Sequence, residues 1–166
     1  MKRLKDTKNY YLNQFRSNMP DVQTIPDISQ LKQKIALLYL YMNKHLGFRE
    51  APRVILTKSE ENANKQELGL TGYYNPQDKV VKLFITNRSI SDCLRSASHE
   101  LVHHWQNEHG MLNAMENSNG HYAQEDPNLR KREYEAFLYG SILFRDFQDE
   151  KRYGPSKVNN PLPKIV

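Results

Sequence analysis

The sequence predicts an α+β protein in which a small antiparallel sheet is combined with an N-terminal helix, a central helix and a C-terminal helix. Three observations predict it. Apolar residues recur at helical spacing in three stretches: Ile28, Leu31, Ile35, Leu38 and Met42; Leu94 to Gln106; and Ala136 to Phe147. Between the first two lie short runs rich in β-branched and aromatic residues, at Arg53–Thr57, Leu70–Tyr74 and Lys79–Thr86. The second helical stretch carries Ser98-His99-Glu100-Leu101-Val102-His103-His104-Trp105, whose two histidines share a face only if the backbone is helical.

At 166 residues the chain has the length of one domain, with a basic lead segment at 1–26, a core at 27–147 and a tail at 154–166. A hydrophobic content of 38% and a charged content of 26% belong to a globular rather than a disordered chain, and ten tyrosines make it rich in aromatic residues. The longest apolar run, Ile35–Met42, falls far short of the roughly 20 residues that span a bilayer. The lysine-rich start leads into no apolar signal region, so no membrane is expected and the cytoplasm is the expected location. The single cysteine, Cys93, excludes an intramolecular disulfide and stands six residues before His99, which is not a zinc-ligand spacing; it reads as a core residue. The net charge of +5 is uneven, since residues 1–16 carry Lys2, Arg3, Lys5, Lys8 and Arg16 against Asp6 alone. That arm reads first as a solvated N-terminal helix, with nucleic acid or an acidic partner as the alternative. Nothing in the sequence sets an oligomeric state.

The elements follow in order. After breaks at Met19-Pro20-Asp21 and Ile25-Pro26, Asp27 or Ser29 caps an amphipathic helix that Gly47 stops. Its additional apolar residues Leu37, Leu40 and Tyr41 suggest packing against a sheet on one side and a helix nearby. Arg53–Thr57 is the first strand, and Lys58 to Gln66 reads as a loop. Asn75-Pro76-Gln77-Asp78 fits a type I turn joining two antiparallel strands. Ser89 or Ser91 caps the central helix, which ends near Gly110. Residues 111–127 read as loop. Asp126-Pro127-Asn128 opens the last helix, which runs to about Phe147.

His-Glu-x-x-His carries a specific chemistry. Imidazoles one turn apart can reach one ion, and a glutamate directly after the first of them is placed to take a proton from water rather than to bind the metal. The pattern therefore reads as a zinc site with His99 and His103 as ligands and Glu100 as general base. The apolar residues around the motif, Ala97, Leu101, Val102 and Trp105, with no proline between Leu94 and Gln106, argue against an accidental match on a solvated face.

Catalytic zinc takes three protein ligands, so a third must come from elsewhere. Glu133 is preferred, because it shares a helix face with Ala136, Phe137, Gly140 and Phe144, and a carboxylate buried there needs a partner. Glu135 lies about 200° around the helix from Glu133 and is the fallback. His109, six residues after His103, has the metzincin spacing, but Gln106 stands where that family needs glycine. His121 follows Gly120 and resembles the downstream histidine ligand of SprT-like proteases. His104 reads as a residue at the rim of the site or behind its ligands.

The order of helix, small sheet with hairpin, His-Glu-x-x-His helix and a helix bearing Glu133-Tyr134-Glu135-Ala136 resembles a minimal gluzincin metallopeptidase over roughly residues 27–147. In gluzincins with a Glu-x-Glu-Ala-Asn/Asp motif the first glutamate binds zinc, which the resemblance places on Glu133. Phe137 departs from it, standing where those families carry the Asn or Asp that supports a zinc histidine. The chain is also similar to short metallopeptidase-like proteins of large tailed bacteriophages, in Leu94-Arg95-Ser96, Tyr122-Ala123-Gln124 and Ala136 to Asp146. The cytoplasm would then be that of a bacterial host. The resemblance implies a zincin-like fold and a zinc peptidase acting on a protein or peptide. Glu100 would relay a proton to the leaving amine, and Tyr122, His104 or His109 would stabilise the oxyanion. It also implies an edge strand that holds extended substrate, expected at Lys79–Thr86. Two other readings stand beside it: a non-catalytic zinc-binding structural or interaction protein such as a phage particle component, and a SprT-like DNA-associated protease.

Overall fold

The computed structural model describes residues 25–63, 70–112 and 126–155; the lead segment to residue 24, the tail from residue 156, His121 and Tyr122 lie outside them. Helix α1 spans Ile28–Leu46. Asp27 caps it by accepting the Gln30 N–H at 2.9 Å, and Gly47 ends it in the left-handed conformation, with its N–H on the Asn43 carbonyl. Strand β1 (Arg53–Thr57) follows, then a single helical turn α2 (Glu60–Ala63) where the sequence reads as loop. Strands β2 (Gly72–Asn75) and β3 (Val80–Phe84) form the expected hairpin. The Asn75 Oδ1 closes its turn by accepting the Gln77 and Asp78 N–H groups. Helix α3 (Ile90–Glu108) is capped by Ser89, which accepts the Asp92 N–H. Helix α4 (Pro127–Tyr153) starts on Asp126 and runs a turn and a half beyond the expected end near Phe147.

The fold is α+β with three strands in the order β1-β3-β2, but the sheet is mixed rather than antiparallel: β1 pairs parallel to β3, Arg53 opposite Val80 through Thr57 opposite Phe84. β3, expected at the edge, lies in the centre with both sides paired, and β2 forms the edge nearer α3. Burial agrees with a central strand, since Val80, Val81, Leu83 and Ile85 are all covered.

Helix α3 is the hub, packed on β2 and β3 on one side and on α1 and α4 on the other. The core joins Leu31, Ile35, Leu38 and Met42 of α1, Val81 and Leu83 of β3, Leu94, Ala97, Leu101 and Val102 of α3, and Ala136, Leu143, Phe144 and Phe147 of α4. Each of the Val, Leu, Ile, Met and Phe side chains among them contributes about 1.5–3 kcal/mol on burial. Leu37 and Leu40 are exposed, so part of the wide apolar stripe of α1 covers surface, and the helix meets chiefly α3 and α4. The Arg88 guanidinium ties the hairpin to the start of α3, donating to the carbonyls of Thr71, Phe84 and Asp92 and to Ser96 Oγ. Among the described residues no helix is long and apolar enough to cross a membrane.

Candidate metal centre

On α3 the four-residue spacing brings the His99 and His103 rings together, with their Nε2 atoms 3.1 Å apart. Helix α4 delivers Glu133 to the same point: one carboxylate oxygen lies 3.3 Å from His99 Nε2 and the other 3.4 Å from His103 Nε2. Among the described residues these are the group of three or more His, Cys, Asp or Glu side chains able to hold a metal ion, with their donor atoms within 4.8 Å of one another.

The helices can come this close because of Gly140. A Cβ added there would stand 3.1 Å from the backbone N and Cα of His99 and 3.3 Å from the Ser98 carbonyl carbon, tighter than ordinary contact. The buried Ser98 hydroxyl donates to the Gly140 carbonyl at 2.8 Å, fastening the crossing one residue before the first histidine.

Glu100 is buried at 6% exposure, with β2 on one side and the charges of His103, His99 and Glu133 within electrostatic reach. It accepts the Tyr74 backbone N–H. Because the Thr71 carbonyl accepts the Phe84 N–H, alternate residues Gly72 and Tyr74 direct their backbone groups away from β3, toward the side of β2 that pairs with no strand among the described residues. A Cβ on Gly72 would come within 3.5 Å of Glu100 Cγ, so the edge strand lies directly against this carboxylate.

The electrostatics divide the two carboxylates. Desolvation raises the pKa of Glu100 above its ordinary value; the nearby His103 and His99 oppose the rise and Glu133 adds to it. Glu133 is also desolvated, but hydrogen bonds from His103 and His99 outweigh that and hold it far below the carboxylate range. Burial depresses His103, yet its hydrogen bond to Glu133, the charges of Glu100 and Glu133 and its bond to Gln106 together raise it. One carboxylate is thus set up as a proton acceptor of raised basicity and the other as a fixed negative charge facing two imidazoles.

The remaining candidates sit elsewhere. Glu135 is buried but bonds Arg132 Nη1 at 2.7 Å and Gln106 Nε2 at 3.1 Å, on the opposite flank of the α4 stripe from Glu133. Phe137, expected on the buried face, is exposed. His104 is fully buried about 100° around the helix from His103, with Nδ1 on the Tyr74 hydroxyl at 3.0 Å and Nε2 on the Glu50 carbonyl at 2.9 Å. It fastens the hairpin and the segment after α1 to α3, and Glu108 assists by accepting the Arg49 and Glu50 N–H groups. Neither ring nitrogen of His104 is left for an oxyanion. His109 is the exposed C-cap of α3, its Nδ1 on the Trp105 carbonyl at 2.8 Å. Sequence reasoning passed over Gln106, fully buried and 2.9 Å from His103 Nδ1. The available signal was a polar residue one turn beyond a ligand histidine, on the same helix face.

Comparison with known proteins adds no relative: no family model, no curated protein and no solved structure matches this chain.

Proposed function

We propose that this chain is a zinc-dependent metallopeptidase of gluzincin type, with a zincin-like arrangement of sheet and helices. The observation that carries the reading is the convergence of His99, His103 and Glu133 beside a buried Glu100 that abuts β2, the edge strand of the sheet among the described residues. The donors fit the ion. Two ligands about 2.0–2.1 Å from a tetrahedral zinc lie roughly 3.3–3.4 Å apart; the two imidazole Nε2 atoms are 3.1 Å apart, one Glu133 oxygen is 3.3 Å from His99 and the other 3.4 Å from His103, and with one oxygen as donor the three atoms lie within 4.8 Å of one another. Two imidazoles and a carboxylate are also the donor set of catalytic rather than structural zinc.

Zinc held there would supply Lewis-acid polarisation of a peptide carbonyl and make water more acidic. The chain's own residues supply the rest. Glu100, made more basic by burial, accepts a proton from the attacking water on its carboxylate and hands it to the leaving amine nitrogen. The Tyr74 N–H holds that carboxylate in place. β2, not β3, is the strand along which an extended peptide adds to the sheet, through the outward backbone groups around Gly72.

The test is metal analysis of the purified protein joined to a broad peptide-cleavage screen. The reading expects close to one zinc per chain, lost in His99→Ala and His103→Ala and kept in Glu100→Gln, with Glu100→Gln losing about 10²–10⁴-fold in turnover. Zinc at full stoichiometry with no hydrolysis of any peptide in the screen would instead support the non-catalytic binding protein.

A further inference from the structure

The family that this chain resembles supports a zinc histidine with Asn or Asp at the position of Phe137, which here is exposed. We propose that Gln106 takes over that function as the positioning residue of the centre, holding the His103 ring with its proton on Nδ1 so that Nε2 presents a lone pair to a divalent cation. The inference rests on the metal reading above.

The Gln106 side-chain amide is fully buried, so which end is oxygen matters. Its Nε2 lies 2.9 Å from the Arg132 carbonyl, a group that can only accept. That contact alone fixes the NH2 end, and the Glu135 carboxylate oxygen at 3.1 Å takes the second amide hydrogen. The amide oxygen must then face His103 Nδ1, 2.9 Å away. An oxygen without a proton accepts only, so Nδ1 of the neutral ring is the donor, and the proton cannot sit on Nε2. Nε2 is the atom beside His99 Nε2 and Glu133.

The clamp has an outer layer. Glu135 is itself fixed by the Arg132 guanidinium at 2.7 Å, so Arg132 contributes its carbonyl to Gln106 directly and its side chain through Glu135. Arg132 and Glu135 flank Glu133 in the chain. One turn of α4 therefore supplies the third ligand and also orients the glutamine that orients the second. This accounts for a buried Glu135 that does not join the donor cluster: its ligand is the amide, not the ion.

The experiment has two parts. Long-range 1H–15N spectra of the wild-type protein without metal, at a pH where His103 is neutral, should show its proton on Nδ1; a proton on Nε2 overturns the proposal, with no variant needed. Zinc affinity by chelator competition should then fall about 10- to 100-fold in Gln106→Met, and the His103 proton should move toward Nε2, with the circular dichroism spectrum unchanged. Wild-type affinity together with an unmoved tautomer in Gln106→Met also overturns it. Failure of the metal reading looks different, since the wild-type protein would then bind no zinc through His99 and His103 whatever the tautomer.

Discussion

Replacing Gly140 with alanine sets two known effects against each other. On helix propensity alone, glycine to alanine inside a helix stabilises by about 1 kcal/mol. At this position the new Cβ would stand 3.1 Å from the backbone of His99, which no side-chain rotation can relieve, so α3 and α4 must part by a few tenths of an ångström. Overpacking of this kind costs about 1–3 kcal/mol, leaving a net effect between zero and a loss of roughly 2 kcal/mol. For a chain of this size that is a fall in Tm of up to about 8 °C. The larger consequence lies at the metal centre. Glu133 rides on α4 and the histidines on α3, and metal–ligand distances tolerate only about ±0.2 Å. Zinc affinity of Gly140→Ala should therefore fall about tenfold or more. Thermal denaturation and chelator competition on the same preparation read both effects. A variant that is more stable by the full propensity gain and binds zinc like the wild type would refute the idea that this close approach sets the site.

Other expectations follow from particular contacts. Leu101→Ala removes a fully buried side chain at the centre of α3 and should cost about 2–5 kcal/mol in denaturant unfolding. Burial raises the Cys93 thiol pKa and covers its sulfur, so a thiol reagent should label the protein only on unfolding; rapid labelling of the native chain would contradict that packing. Burial pushes the pKa of Tyr41 and Tyr74 up to about 12 from the ordinary tyrosine value of 10.0. Between those values the folded chain keeps protons that the unfolded chain releases, so their contribution to stability is intact below pH 10 and is lost as pH rises toward 12. Ultraviolet titration should show tyrosines ionising late, and Tyr41→Phe should remove part of that late rise. Tyr74→Phe deletes the hydroxyl that bonds His104 and Asn107 and should cost about 1–3 kcal/mol for the groups left unpaired.

What could be read from the sequence was whatever local chemistry decides. Asp27, Ser89 and Asp126 cap the helices that their side chains announce, and Asn75-Pro76 makes the turn that its residues prefer. The His99–His103 pair follows from helical spacing alone. Strand partners are another matter. Nothing local to Arg53–Thr57 says that it lies parallel to β3, because an alternating strand looks the same at an edge or beside a central strand. Leu37 and Leu40 show the one-way nature of hydrophobic reasoning, since apolar residues also cover surfaces. Glu133 and Glu135 flank the buried stripe of α4 on opposite sides, and only the placement of α3 decides which of them meets the histidines. Gln106 was hidden for the same reason, because its partners come from a helix 26 and 29 residues further along the chain.

The mixed sheet also bears on the order in which the molecule assembles. β2 and β3 are joined by a tight turn and can pair early, whereas β1 must close residues 58–79 to reach β3, an added entropic cost of roughly 1.5 kcal/mol over the hairpin turn. Folding should thus nucleate on the hairpin with α3 laid across it, and β1 should dock late, with low φ-values at Val54 and Leu56 and higher ones at Val81 and Leu83. The His104 bond to the Glu50 carbonyl, just ahead of β1, then closes only after the rate-limiting barrier. Substitutions there should speed unfolding while hardly slowing folding, so the lifetime of the native chain is governed by contacts that its nucleus never uses.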